Sequence, residues 1–215
     1  NVGLNSGAFA GAQTSVALTS GAFPLGGTIN FYALVPSFSG SFNVGAGQTY
    51  TTITSAVAAL SGKEITGPVT FTLMDASFAG ETFPIVINSY PGVSAVNTIT
   101  FKPASGVAVT VTGTNANTLF DLTGATYVTF DGSNTAFKGS DRSLTISNTN
   151  TSGAVVRFLN GASNNMVKNA VLLGVSTSSA NGIVFFGTTT STGNNNNTIN
   201  NCLITKGASF NYYGV

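Results

Sequence analysis

Val69-Thr70-Phe71 recurs as Ile99-Thr100-Phe101 and again as Val128-Thr129-Phe130, at spacings of 30 (99 − 69) and 29 (128 − 99) residues. A period of this size marks a solenoid, in which one repeat cannot cover its own apolar face and stacking on a neighbour does so. Downstream, Asn165-Met166-Val167-Lys168-Asn169-Ala170-Val171 matches Asn197-Thr198-Ile199-Asn200-Asn201-Cys202-Leu203 at a spacing of 32 (197 − 165). The first strand of each coil then starts near 69, 99, 128, 167 and 199, about five coils in all.

Two more runs fill each coil. Val109 to Val111, Leu144 to Ile146 and Val171 to Leu173 form one column, and Phe120 to Leu122, Val155 to Phe158 and Ile183 to Phe186 form another. Three short strands per coil describe a three-sided prism. Side chains alternate along a strand, so Val128 and Phe130 point inward while Thr129 and Asp131 point outward. The same parity predicts that Phe71, Phe101 and Phe130 stack in one inner file.

Parity also places Asn169 and Asn201 inward, one coil apart, where amide side chains can form a ladder at the bend between two strands. Asp131 precedes Gly132, and its carboxylate is expected to accept backbone hydrogen bonds at the corner. Pro91-Gly92, Ser105-Gly106, Asn160-Gly161 and Asn181-Gly182 supply further turns.

One segment departs from the strand pattern. In Thr51 to Leu60, Ile53, Ala56, Val57 and Leu60 fall at i, i+3, i+4 and i+7, the stripe of an amphipathic helix. A helix over 51–60 would plug the first coil, which otherwise exposes apolar side chains and strand edges. The expected organisation is therefore a Gly, Ala and Ser rich, β-rich segment over 1–44, a capping segment over 45–66 and a parallel β-helix over 67–215. Residues 1–44 do not follow the repeat. They suit the end of a preceding domain, a segment docked on the helix, or a strand lent to a neighbour.

Composition bounds the function. Charged residues make up 6% of the 215 residues, apolar ones 42%, and the net charge is +1. The apolar share suffices for a continuous core, and solubility falls to hydroxyls and amides, a profile of extracellular solenoids. Without a basic patch, nucleic acid and anionic lipid are poor partners. No apolar run reaches the roughly 20 residues of a membrane helix, so no membrane insertion is expected. Cys202, the single cysteine, reads as a small buried hydrophobe. A start at Asn1 suits a processed or fragmentary protein, and the pattern breaking off within Gly207 to Val215 leads us to expect further coils.

The stretch from Gly47-Gln48-Thr49-Tyr50 through Gly67-Pro68-Val69-Thr70-Phe71, Gly80-Glu81-Thr82-Phe83-Pro84-Ile85, Ile99-Thr100-Phe101-Lys102-Pro103 and Tyr127-Val128-Thr129-Phe130-Asp131-Gly132 resembles pectin-lyase-like right-handed β-helix repeats. Such repeats occur in large secreted surface proteins of Bacteroidota. The resemblance covers residue 45 to the end. It implies an all-β, right-handed, single-stranded parallel β-helix, export across the outer membrane, often by the type IX route, and service as an adhesin or surface filament.

Chemistry is sparse. The carboxylates are Glu64, Asp75, Glu81, Asp121, Asp131 and Asp141, and there is no histidine. Glycoside hydrolysis needs two facing carboxyls, and Asp121 and Asp131 fall in different strand columns. A calcium-dependent lyase needs clustered carboxylates beside an Arg, whereas Asp141 and Arg142 are adjacent and point apart. No catalytic residue, metal site or cofactor is expected. Lys102, Arg157 and Lys168 read as scattered solvating charges. Outward Thr-x-Thr pairs suggest water ordering, but the file Thr72, Lys102, Asp131 breaks the double rank.

The sequence thus reads as a non-enzymatic extracellular structural and adhesive module, with other copies of itself or neighbouring domains as partners through end-to-end β contacts. The alternative is a carbohydrate-active β-helix that binds or cleaves a polysaccharide. In that case Tyr127, Tyr212 and Tyr213 are the candidate glycan contacts, the chain having no Trp.

Overall fold

A computed structural model of the chain describes residues 35–135, 139–178, 180–187 and 193–206. These form a parallel β-solenoid of about five turns with three sheets and one short helix. Numbered in chain order, the first sheet runs β1 (Ser37–Val44), β2 (Glu64–Leu73), β4 (Ile99–Pro103), β7 (Val128–Asp131), β10 (Met166–Lys168) and β13 (Thr198–Asn200). The second stacks β5 (Val109–Gly113), β8 (Leu144–Asn148), β11 (Ala170–Gly174) and β14 (Leu203–Lys206). The third stacks β3 (Ile85–Ile87), β6 (Thr118–Thr123), β9 (Ala154–Leu159) and β12 (Val184–Phe186).

The expected inner files form. Phe71, Phe101 and Phe130 lie in register on adjacent rungs, with ring centroids 5.1 and 5.2 Å apart and planes tilted by 24° and 17°. Phe120 of the third sheet meets Phe130 edge-on at 4.9 Å, tying two walls of the prism together. Offset stacks and edge contacts suit the ring quadrupoles and add to the area that each ring buries. Val69, Ile99 and Val128 complete a second buried file.

The register departs from the sequence spacing at two places. Val167 lies opposite Phe130, and Asn165 follows as the partner of Val128, so aligning 128 with 167 is two residues out. The cause is the long connection between β7 and β8, which lengthens that coil and shifts the apparent period. Ser37–Val44 also joins the first sheet: Ser41 pairs with Thr70, Phe42 with Phe71 and Asn43 with Thr72. The 1–44 segment therefore contains a rung that the 30-residue period hides, because a loop and helix stand where two strands of that coil would be.

The helix α1 (Ile53–Ala58) is shorter than the stripe over 51–60 suggests, and its apolar face is buried as expected: Ile53, Ala56 and Val57, with Leu60 just beyond. Thr52 caps it, with Oγ1 accepting from Ser55 N at 3.0 Å and Ser55 Oγ accepting from Thr52 N at 3.2 Å. The Glu81 carboxylate takes the next donors, Ile53 N at 2.6 Å and Thr54 N at 2.8 Å. A carboxylate there suits the positive end of the helix. The helix packs against β3, at the start of the third sheet.

Candidate functional site

The corner after the first sheet gathers the polar residues singled out in the sequence. Asn169 and Asn201 directly follow β10 and β13, both in the left-handed region, with φ of 55° and 47°. Asn tolerates this conformation better than other side-chain-bearing residues. Asn201 Nδ2 donates to Asn169 Oδ1 at 2.9 Å, and Asn169 Nδ2 donates to Asp131 Oδ1 at 2.9 Å, so a polar ladder climbs three rungs. Asn169 is buried, whereas Asn201 is exposed. Both share the left-handed backbone, and Asn201 differs in that among the described residues no rung lies beyond it.

The connection between β7 and β8 clasps this ladder. Gly139 O accepts from Asn169 Nδ2 at 3.2 Å, and Ser140 O accepts from Asn201 Nδ2 at 2.7 Å. Arg142 donates through Nε to Asn201 O and through a terminal nitrogen to Asn201 Oδ1, both at 2.8 Å. Asp141 points the other way and anchors the connection: Oδ1 accepts from Ser133 Oγ at 2.7 Å and Thr135 Oγ1 at 2.9 Å, and Oδ2 from Asn134 N at 2.9 Å and Ser143 Oγ at 2.7 Å. These donors, the Asn134 amide foremost, hold its carboxyl well below the ordinary carboxylate range.

Several further corner amides join rungs without having been assigned that role from the sequence. Asn165 is buried; its Oδ1 accepts from Val128 N at 3.0 Å and its Nδ2 donates to Ala125 O at 2.8 Å and Asn197 Oδ1 at 3.0 Å. Asn148, fully buried at the end of β8, donates to Asn115 O at 2.9 Å and Ala154 O at 2.7 Å. Asn194 bridges Phe158 O and Gly187 O at 3.2 and 2.7 Å. The 32-residue match of Asn165 with Asn197 was the available signal for the first of these.

The charges read as scattered are in part paired. Arg157 lies opposite Asp121 on the outer face of the third sheet and grips it through two nitrogens at 3.2 and 2.5 Å. Lys168 lies opposite Asp131, with Nζ 3.1 Å from Oδ2. Asp131 Oδ1 also accepts from Ser133 N at 3.2 Å, the backbone bond expected at this corner. Asp75 Oδ2 accepts from Ala46 N at 2.7 Å. Five of the six carboxylates, all but Glu64, thus serve internal donors.

Tyr127 is half-buried with φ of 53°, a conformation that costs a ring-bearing residue about 1 to 2 kcal/mol. Register equates it with Asn164 and Asn196, at φ of 59° and 56°. It stands in a corner and not on an open platform. Tyr212 and Tyr213 lie outside the described residues. Cys202 is half-buried, with Sγ 3.4 Å from Val167 O, and burial raises its pKa. Among the described residues no cluster of ligating side chains could hold a metal ion, and no helix is long and apolar enough to cross a membrane. Compared with protein-family models, curated proteins and solved structures, the chain matches none.

Proposed function

We propose that this solenoid is a non-enzymatic, extracellular structural and adhesive module of a large cell-surface or filament-forming protein. On this reading it belongs with the pectin-lyase-like, right-handed repeats of Bacteroidota surface proteins, exported by a type IX route. The observation that carries the proposal is the use of the carboxylates. Polysaccharide cleavage on such a scaffold needs paired carboxyls facing a substrate, or several around a metal beside a base. Here the oxygens of Asp75, Glu81, Asp121, Asp131 and Asp141 receive donors from their own fold.

The low charge and hydroxyl-rich outer faces add support, since they suit a long-lived extracellular scaffold. Its partners are other copies, neighbouring domains and surface glycans. The test is a polysaccharide panel read for reducing ends and unsaturated products, run beside a binding assay on glycan-coated surfaces. Binding without turnover is the expected result. Turnover abolished by changing one of the carboxylates would establish the carbohydrate-active alternative instead.

A further inference from the structure

Four corners in succession join the first sheet to the second: those after β4, β7, β10 and β13. The corner after β7 is the long connection to β8, and it bonds to all of the other three. Backwards, Asn134 Nδ2 donates to Val107 O at 2.9 Å, and Asn134 O accepts from Gly106 N at 3.1 Å. Forwards, it holds Asn169 through Gly139 O, and Asn201 through Ser140 O and Arg142. These last contacts join residues 59 and 61 positions apart, so they pass over the coil between.

The connection is stiff enough to carry such a link. Ser143 N donates to Gly132 O at 2.8 Å and closes its neck, and four donors converge on Asp141 at 2.7 to 2.9 Å. Gly139 lies where an added Cβ would overlap the Ser133 and Thr135 hydroxyls, so the turn sits directly on the neck. Arg142 brings two nitrogens of one planar group onto the backbone and side-chain oxygens of Asn201, an arrangement that loses little freedom per bond.

We infer that this connection is a strap that locks four coils into one unit. In a solenoid each coil touches only its neighbours, so coils can open one at a time. A contact to the second neighbour changes that rule. The coil of β13 and β14 opens only by breaking three strap bonds as well as its contacts with the adjacent coil. The strap in turn is tied back to the corner after β4, so its grip on Asn201 draws on a coil three rungs away. In a module that bears load, the coils then yield together. The lock goes beyond the proposed structural role and stands on the strap's geometry alone.

Native-state hydrogen exchange of the 215-residue chain tests it at Thr198 N, which donates to Asn165 O at 2.8 Å, with Val69 N, which donates to Thr98 O at 2.8 Å, as the reference. Arg142→Ala removes the forward grip and should speed exchange at Thr198 about tenfold. The Asn134 side chain bonds to no residue of the β13 coil, yet Asn134→Ala loosens the rear anchor and should speed exchange at Thr198 about threefold. The double variant should go no faster than Arg142→Ala alone, because a released strap has no grip left to lose. Unchanged exchange at Val69 shows that each variant keeps its fold. Wild-type exchange at Thr198 in the Asn134→Ala chain would reduce Arg142 to a local contact and overturn the lock, as would additive effects in the double variant or an Arg142→Ala chain without effect. None of these outcomes touches glycan binding, so the adhesive reading stands or fails by its own assay.

Discussion

The early and late rungs of this solenoid are held by different means. From β1 to β7 the inner file of the first sheet is aromatic, Phe42 through Phe130, and the described left-handed corners are mostly glycine, among them Gly92, Gly106 and Gly124. Beyond β7 the file narrows to Val167 and Ile199, and the described left-handed corners become mostly asparagine, Asn160, Asn164, Asn169, Asn196 and Asn201 beside Gly161. Glycine enters the left-handed region at little cost and contributes nothing more. Asparagine enters it at some cost, and Asn201 then bonds to Asn169, and Asn169 to Asp131, across rungs. Early corners carry a link of this kind too, Asn97 Nδ2 to Ile65 O at 3.3 Å, and the late corners add the Asn169, Asn197 and Asn201 links.

Substitutions can break or sharpen this contrast. The largest effect belongs to the early rungs. Phe101→Ala removes the ring between Phe71 and Phe130 and should cost about 3 to 5 kcal/mol, read by chemical denaturation. Val167→Ala, two file positions later, should cost clearly less. Next comes a late corner: Asn165→Ala strands the buried Val128 N–H and Ala125 carbonyl, for about 2 to 3 kcal/mol. If the aliphatic rungs leaned on interior packing alone, this change would be nearly silent.

A gain is expected where an early corner borrows the late solution. Tyr127→Asn gives the left-handed position the residue used at Asn164 and Asn196, and should raise stability by about 1 kcal/mol in the same assay. The smallest effect concerns the connection that clasps the late corners. The Asp141 carboxyl is depressed in the folded state below its ordinary value of 3.8, so its contribution is complete above that pH and drains away as acid is added. Asp141→Asn should flatten the acid limb of the stability profile and leave its neutral limb parallel to that of the wild type.

The apolar files were legible because a repeat of strand length, with period-two alternation, leaves few other ways to bury Phe71, Phe101 and Phe130. Four features escaped for identifiable reasons. The β1 rung hides because its coil replaces two strands with a loop and α1. The two-residue shift at Val167 hides because the β7 to β8 connection changes the coil length. Most corner amides hide because an Asn links rungs only when its backbone turns left-handed or its side chain reaches a neighbouring bend, and neither is written in composition. The Asp121 to Arg157 pair, 36 residues apart, becomes visible only once register is known.

Central to the account is the order in which rungs lie on one another, and disulfide trapping at the β7 to β10 step measures it most directly. In a Cys202→Ser background, Thr129→Cys with Met166→Cys places the thiols on directly paired residues of neighbouring strands, about 4.8 Å apart between backbones. Thr129→Cys with Lys168→Cys displaces them by two residues, to about 8 Å, beyond the reach of an unstrained bridge. Rapid oxidation of the first pair and resistance of the second are the predicted results; a disulfide that forms readily only between 129 and 168 would contradict the stacking described.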